Sequence, residues 1–398
     1  MKTTFFKVVA LLACLCMVIG VFAGCSNADN GDKNDGAAAG NEIVIGLSGP
    51  LTGDAAVYGT AVKNSAQMAV DEINAKSESG ITLKLVALDD EHDASKVKGN
   101  YASLMSQGMQ VSLGCVTTKP GLAFASLSKN DNVFFLTPSA SGDDIVKYDN
   151  AYQMCFADAN QGSVAASYVN SLNLSKIGVF YKSDDEYSKG IYNNFKKVIN
   201  SDIEIVETSF LGDDKEFTQQ ISMLKDCSFI FMPIYYTPAS IFMMQAKGNI
   251  ADDAIYYGCD GFDGIASMGE DFDISAIPQE VSMLSHFNSS ATEGNAKTFI
   301  DKYTEKFGKD TLNQFGASAY DCVYAIYNAI NAAIKAGKTV NSSTSASDLC
   351  EILKEQFNGD FALTGGVTGE NIKWNKEGAS RPGFVDKEAS AVIIKKAS

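Results

Sequence analysis

A chain of 398 residues with 45% hydrophobic and 20% charged residues has the composition of a globular protein with a sizeable core. A formal net charge of −16 at pH 7 excludes a nucleic-acid binder, which needs a basic face for phosphates. Two histidines, His92 and His286, and the absence of GxGxxG, P-loop, GxSxG and HExxH motifs leave little material for catalysis, so neither an enzymatic activity nor a cofactor is expected.

The chain begins with a secretory pattern. Lys2 and Lys7 precede an apolar run from Val8 to Phe22, and the small residues Ala23 and Gly24 follow it. Phe22-Ala23-Gly24-Cys25 resembles a bacterial lipobox, which implies removal of residues 1–24 and acylation of Cys25. Residues 25–41, rich in Asn, Asp, Gly and Ala, read as a flexible tether. No later segment reaches about 18 apolar residues, the length of a membrane span. Cys115, Cys155, Cys227, Cys259, Cys322 and Cys350 are widely spaced without a CxxC, and most sit in apolar runs. They are expected to be buried free thiols.

From Glu42 onward, short apolar runs alternate with helical ones. Strands are expected at 42–47, 82–88, 111–113 and 133–136. Val62, Ala66, Ala69, Val70 and Ile73 recur at helical spacing after the first, and Val97, Tyr101, Leu104 and Met105 after the second. The pattern restarts after Asn160, with strands at 177–181, 203–206 and 229–232 and helices near 187–199, 214–224 and 238–246. The remainder is helix-rich, near 293–306, 317–336 and 346–356, with Gly337 as a C-cap and strand-like runs at 372–374 and 389–395. Near-continuous apolar strands of this kind belong to parallel sheets covered by helices on both faces. The expected fold is therefore α/β, with two doubly wound lobes.

In such sheets, ligands gather at the carboxyl ends of the strands. Those ends carry Leu47 to Asp54 and Tyr58, Gly114 to Thr118, and Thr137 to Gly142 in the first unit. In the second they carry Tyr187, Tyr235-Tyr236 and Cys259-Asp260-Gly261. The acidic runs Asp89 to Asp93, Asp184 to Glu186 and Asp213-Asp214 read as solvated turns and helix starts, where acids complement the macrodipole, rather than as metal sites.

Ile45-Gly-Leu-Ser-Gly-Pro-Leu-Thr-Gly53, Asp89-Asp90, Thr137-Pro-Ser-Ala-Ser141, Asp158-Ala-Asn-Gln-Gly162 and Gly365-Gly-Val-Thr-Gly369 occur in this order. With them, residues 42–398 resemble the leucine/isoleucine/valine-binding proteins of amino-acid ABC transporters. The resemblance implies a type I periplasmic binding fold, with a multi-strand hinge joining lobe 1 (42–158 plus 289–376) to lobe 2 (159–288 plus 377–398). It implies an extracytoplasmic, monomeric solute-binding lipoprotein on the outer face of the cell membrane that takes an amino acid, branched-chain or otherwise apolar, to permease subunits. A sensor acting through a membrane partner is the alternative.

The site carries over residue by residue. Tyr58 and Phe315 match aromatics lining the side-chain pocket, and Thr117 and Thr118 match hydroxyls that hold the carboxylate. Ser139 and Ser141 match the loop facing both charged ends. Tyr187 and Tyr235 match aromatics that close from lobe 2, and Asp260 matches the acid that pairs with the α-ammonium. The family's small disulfide would need a partner for Cys115 where this chain has His92.

Overall fold

Each strand run feeds a helix that packs back on the sheet, and the computed structural model shows the result as two α/β lobes. It describes residues 40–77, 79–269 and 272–397. The secretory leader, Cys25 and the tether up to residue 39 lie outside the described residues. In lobe 1, β1 (Glu42–Gly49), β2 (Thr82–Asp89), β3 (Val111–Gly114), β4 (Phe134–Thr137) and β5 (Ala151–Gln153) form a parallel sheet in the order β2-β1-β3-β4-β5. Helices α1 (Ala56–Lys76), α2 (Ala94–Ser106) and α3 (Thr118–Asp131) connect the first four strands. The α1 positions expected at helical spacing, Val62, Ala66, Ala69, Val70 and Ile73, are all buried.

Lobe 2 repeats the plan. It comprises α4 (Asp158–Ser171), β6 (Lys176–Lys182), α5 (Glu186–Val198), β7 (Glu204–Phe210), α6 (Thr218–Leu224), β8 (Phe229–Met232), α7 (Tyr236–Ala246), β9 (Ile255–Gly258) and β10 (Glu280–Ser285). Its sheet runs β13-β10-β9-β8-β6-β7, with only β13 (Ser390–Lys395) antiparallel. The chain passes between the sheets three times, after β5, after β10, and before β13. Between the last two passages, α8 (Gly294–Phe307), α9 (Gln314–Lys335), α10 (Ala346–Phe357) and the hairpin β11 (Leu363–Thr364) and β12 (Asn371–Ile372) return to lobe 1. There α9 packs on α1 and α10.

Several elements differ from the sequence expectation. Helix α4 and strands β5 and β10 were not anticipated, and α6 begins four residues later than its pattern suggested. Among the acidic runs, Asp89 does serve a turn, accepting from the backbone N–H groups of Leu51 and Glu91. Asp90 is not solvated; it is buried and accepts from the Ser48 hydroxyl at 3.0 Å. Asp185 is likewise buried, and its carboxylate caps α5 through the Ser188 N–H at 2.9 Å. The six cysteines of the described residues are free and buried. Among the described residues, no helix is long and apolar enough to cross a membrane.

The end of β3 has no room for a side chain. Gly114 has φ +65°, and a Cβ there would overlap the Phe135 ring. Gly114→Ala should lower stability by about 2–4 kcal/mol, through overpacking and backbone strain together. Chemical unfolding would measure it, and an unchanged midpoint would contradict the packing described.

Candidate functional site

Both sheets have a point where strand order reverses, between β1 and β3 and between β6 and β8, and ligand crevices form there. The two crevices face each other. One cleft is lined by Tyr58, Thr117, Thr118, Ser139, Ser141 and Phe315 from lobe 1 and by Tyr187, Tyr235 and Asp260 from lobe 2, so all nine residues expected from the sequence lie together. Val116 and Gly261 complete the lining.

The lobe 1 side is built for an anion. Thr117 precedes α3 in N-cap position, but its side chain makes no cap bond. Its hydroxyl instead pairs with His92 Nδ1 at 2.8 Å. The hydroxyl of Thr118 accepts from the Gly142 N–H at 3.2 Å, leaving its own proton to donate. Gly142 is required there, since a Cβ would meet Thr118 Cγ2 at 2.6 Å. With no side-chain cap, the first N–H groups of α3 offer a carboxylate the positive end of a helix dipole. Ser139 contributes differently, because its hydroxyl donates to the Val116 carbonyl at 2.6 Å.

The lobe 2 side is acidic. Asp260 follows β9 and is only 2% exposed. The Tyr187 hydroxyl donates to Asp260 Oδ1 at 2.6 Å and itself accepts from the Gly261 N–H at 2.9 Å. Gln161 Oε1 accepts the Asp260 backbone N–H at 3.0 Å. Burial pushes the Asp260 carboxyl up to about 7, against hydrogen bonds from Tyr187 and Gln161 that pull it down. Asp263 is raised to about 6, also by burial. Tyr187 and Tyr235 stack at 4.6 Å, and the other side of Tyr235 meets His92 edge-on at 5.1 Å.

Two further residues belong here that the sequence reading left out of the site. Asp158, at the start of α4, is 1% exposed, and its Oδ1 has no hydrogen-bond partner. Burial holds its carboxyl well above the usual range, with Asp260 among the charges that raise it further. The signal was present in Asp158-Ala-Asn-Gln-Gly162, used only as a fold motif. His92 was set aside as part of a solvated turn, yet it supports both Thr117 and Tyr235. Burial, then Lys182 and Lys119, lowers it to about 4, so it is neutral at pH 7.

The arrangement sets hydrogen-bond donors on one wall, a buried acid on the other and aromatic rings between them. A family model described as "Periplasmic binding protein" matches residues 42–372. The Leu/Ile/Val-binding protein BraC3 of Rhizobium johnstonii is 30% identical over 229 residues, 55% of this chain and 62% of that protein, so the aligned stretch covers about three-fifths of that relative. The leucine-, isoleucine-, valine-, threonine- and alanine-binding protein of Pseudomonas aeruginosa is 27% identical over 306 residues, 74% of this chain and 79% of that protein. Among solved structures, the branched-chain amino acid transporter substrate-binding protein LivJ of Streptococcus pneumoniae, in complex with isoleucine, superposes with a TM-score of 0.74 at 25% identity. That alignment covers 89% of this chain and 99% of the other.

The raised carboxyl makes Asp260 a burden on the fold at neutral pH. Its effect on stability is most favourable below 3.8, where folded and unfolded chains are both protonated, and worsens as pH rises to about 7. Asp260→Asn should therefore melt higher than the parent at pH 8, by up to about 4 kcal/mol of stability for a carboxyl moved from 3.8 to about 7. The gap should narrow to less than half of that by pH 5 and close only below pH 3.8. Thermal melts at the two pH values test this; a gap that widens toward pH 5 would refute the assignment.

Proposed function

Because the chain belongs to the periplasmic binding protein family, we propose that it is an extracytoplasmic solute-binding lipoprotein of an ABC importer that captures an apolar α-amino acid between its lobes. The observation that carries this reading is the cleft itself, which sets Thr118 and the α3 N-terminus on one lobe and the buried Asp260 on the other. A zwitterion leaving water needs each charge met, or desolvation outweighs the gain. Donors on lobe 1 take the carboxylate, Asp260 takes the ammonium, and the aromatic rings take the side chain. Since the two charges are met by different lobes, the ligand favours the closed form and shifts the population toward it. Binding and closure suffice for delivery, and no turnover is expected.

The remaining parts follow the same reading. Residues 1–24 direct export, acylated Cys25 anchors the chain to the outer face of the membrane, and residues 25–41 tether a two-lobed body divided at 42–158 plus 289–376 and 159–288 plus 377–398. The closed body is then presented to permease subunits as a monomer.

A thermal-shift screen of the purified chain against the amino acids and simple amides tests the reading. A true ligand raises the melting temperature in a concentration-dependent way, and silence across the amino acids sinks it. Asp260→Ala should cost about 2–5 kcal/mol of binding, as for truncating a buried charge partner. The ammonium binds the ionised carboxylate, so affinity should rise with pH up to about 7 and level off above it, with proton release on binding below that value. Calorimetry in buffers of different ionisation enthalpy measures this release, and pH-independent affinity with no proton released would exclude the role given to Asp260.

A further inference from the structure

Tyr58 spans the cleft from one lobe to the other. It sits in the first turn of α1 in lobe 1, yet its hydroxyl donates to the Gly261 carbonyl of lobe 2 at 2.5 Å and accepts from the Tyr236 N–H at 3.4 Å. Its ring is held edge-on by Phe315 at 5.0 Å and by Tyr236 at 4.9 Å. Its backbone has nowhere to retreat, because at the next residue, Gly59, the start of α1 presses so closely on the Pro50 carbonyl that a Cβ would overlap it. Fixed behind, at its sides and at its tip, this ring is a rigid wall rather than an adjustable one.

We propose that Tyr58 is the crossbar that sets ligand size, and that the cleft selects small α-amino acids such as glycine, alanine and serine over leucine-sized ones. This rests on the amino-acid reading above and narrows it. Gly261, where the crossbar lands, is the neighbour of Asp260, about 3.8 Å away along the chain. A ligand whose ammonium is held by Asp260 thus meets the Tyr58 ring within its first few side-chain atoms. The adjoining wall is equally set, since Tyr235 meets Tyr58 at 5.9 Å, stacks on Tyr187 and meets His92 edge-on. With the lobes closed in this way, the space open to the centre of a water is about 10 Å³, roughly one water's worth.

A ligand must therefore push the walls apart in proportion to its bulk. A small one disturbs the crossbar little. A leucine-sized one breaks it, and strains the bonds that cross beside it, from the Gln314 N–H to Asp263 at 2.9 Å and from the Thr237 hydroxyl to the Asp54 carbonyl at 2.9 Å. Closure is what a ligand must stabilise, so the bulkier ligand is penalised in affinity.

Calorimetry of the purified chain with glycine, alanine, serine, valine, leucine and phenylalanine tests the proposal. Alanine should bind at least tenfold tighter than leucine. Tyr58→Phe, which keeps the ring and loses the crossing hydrogen bond, should weaken alanine severalfold and leucine little, narrowing the gap between them while the ring keeps their order. Tyr58→Ala should invert the order in favour of leucine. Leucine binding as tightly as alanine to the parent chain overturns the proposal, as does an unchanged order in a Tyr58→Ala protein that still melts cooperatively. If Tyr58→Ala does not fold, the parent series and Tyr58→Phe decide the matter. If none of the six binds a cooperatively melting parent chain, the amino-acid reading itself falls and the size rule with it, which is a different outcome from leucine preference.

Discussion

The cleft is organised around a buried carboxyl, Asp260, with no cation of the described residues among the main influences on it. The groups that act on Asp260 are burial, hydrogen bonds from Tyr187, Gln161 and Gly261, and the charge of a second acid, Asp263. Asp158 adds a third, with one oxygen unpartnered. Burying a charge is costly unless an opposite one meets it with good geometry. In this fold the cost is lowered by holding the acids high in pKa and by letting Tyr187 donate to Asp260 at 2.6 Å. A cationic group arriving between the lobes relieves it further. The proposed pairing with an ammonium and the cost of burying this acid are thus one property seen from two sides.

Cross-lobe bonds tie the surroundings of that acid to both halves of the body. Beside Tyr58, the backbone N–H of Gln314 donates to Asp263 of lobe 2, while Asn313 caps the next two N–H groups of the same helix. The start of α9 in lobe 1 therefore depends on a carboxylate supplied by lobe 2. On another face of the interface stands Arg381, the single arginine of the chain. Its guanidinium donates to Asn160 at 2.7 Å on α4 and to Asp143 at 3.2 Å in lobe 1. Burial raises the Asp143 carboxyl, and Arg381 acts against that rise. A planar fork serves two acceptors on different lobes better than a lysine would.

Much of this was legible in the sequence because parallel strands are buried on both faces and read as unbroken apolar runs. Ile177 to Tyr181 and Phe229 to Met232 could hardly be anything else. Eight of the nine cleft residues were legible for a related reason, since each follows a strand's carboxyl end, while Phe315 came only through the family resemblance. What escaped has a physical cause too. Strand β5 is three residues long and β10 carries Ser282 and Ser285 among its apolar positions, so neither shows a continuous run. Helix α4 opens with Asp158-Ala-Asn-Gln-Gly162, which has the composition of a turn and is helical because it packs on α5, where Gly162 lets the Ile191 and Phe195 backbone come close. Asp90 and Asp185 were misjudged together, and Asp158 was passed over. A sequence records that an acid is present, while its burial is decided by elements far away in the chain.

The buried acids also explain why so much aromatic surface converges on a polar site. Tyr58, Tyr187 and Tyr235 each present a ring that excludes water and a hydroxyl that can answer a polar group. Replacing them with aliphatic residues would keep the site dry but leave Asp260 and the Gly261 carbonyl without the donors they now have. Replacing them with small polar residues would satisfy the acid but admit water, weakening the attraction between Asp260 and an arriving charge. Tyrosine meets both demands at once. Tyr58 of lobe 1 also hydrogen-bonds to Gly261 and Tyr236 of lobe 2, so one of the side chains that keep the acid dry also ties the lobes together. In this cleft, recognition and closure are therefore carried by a shared set of atoms.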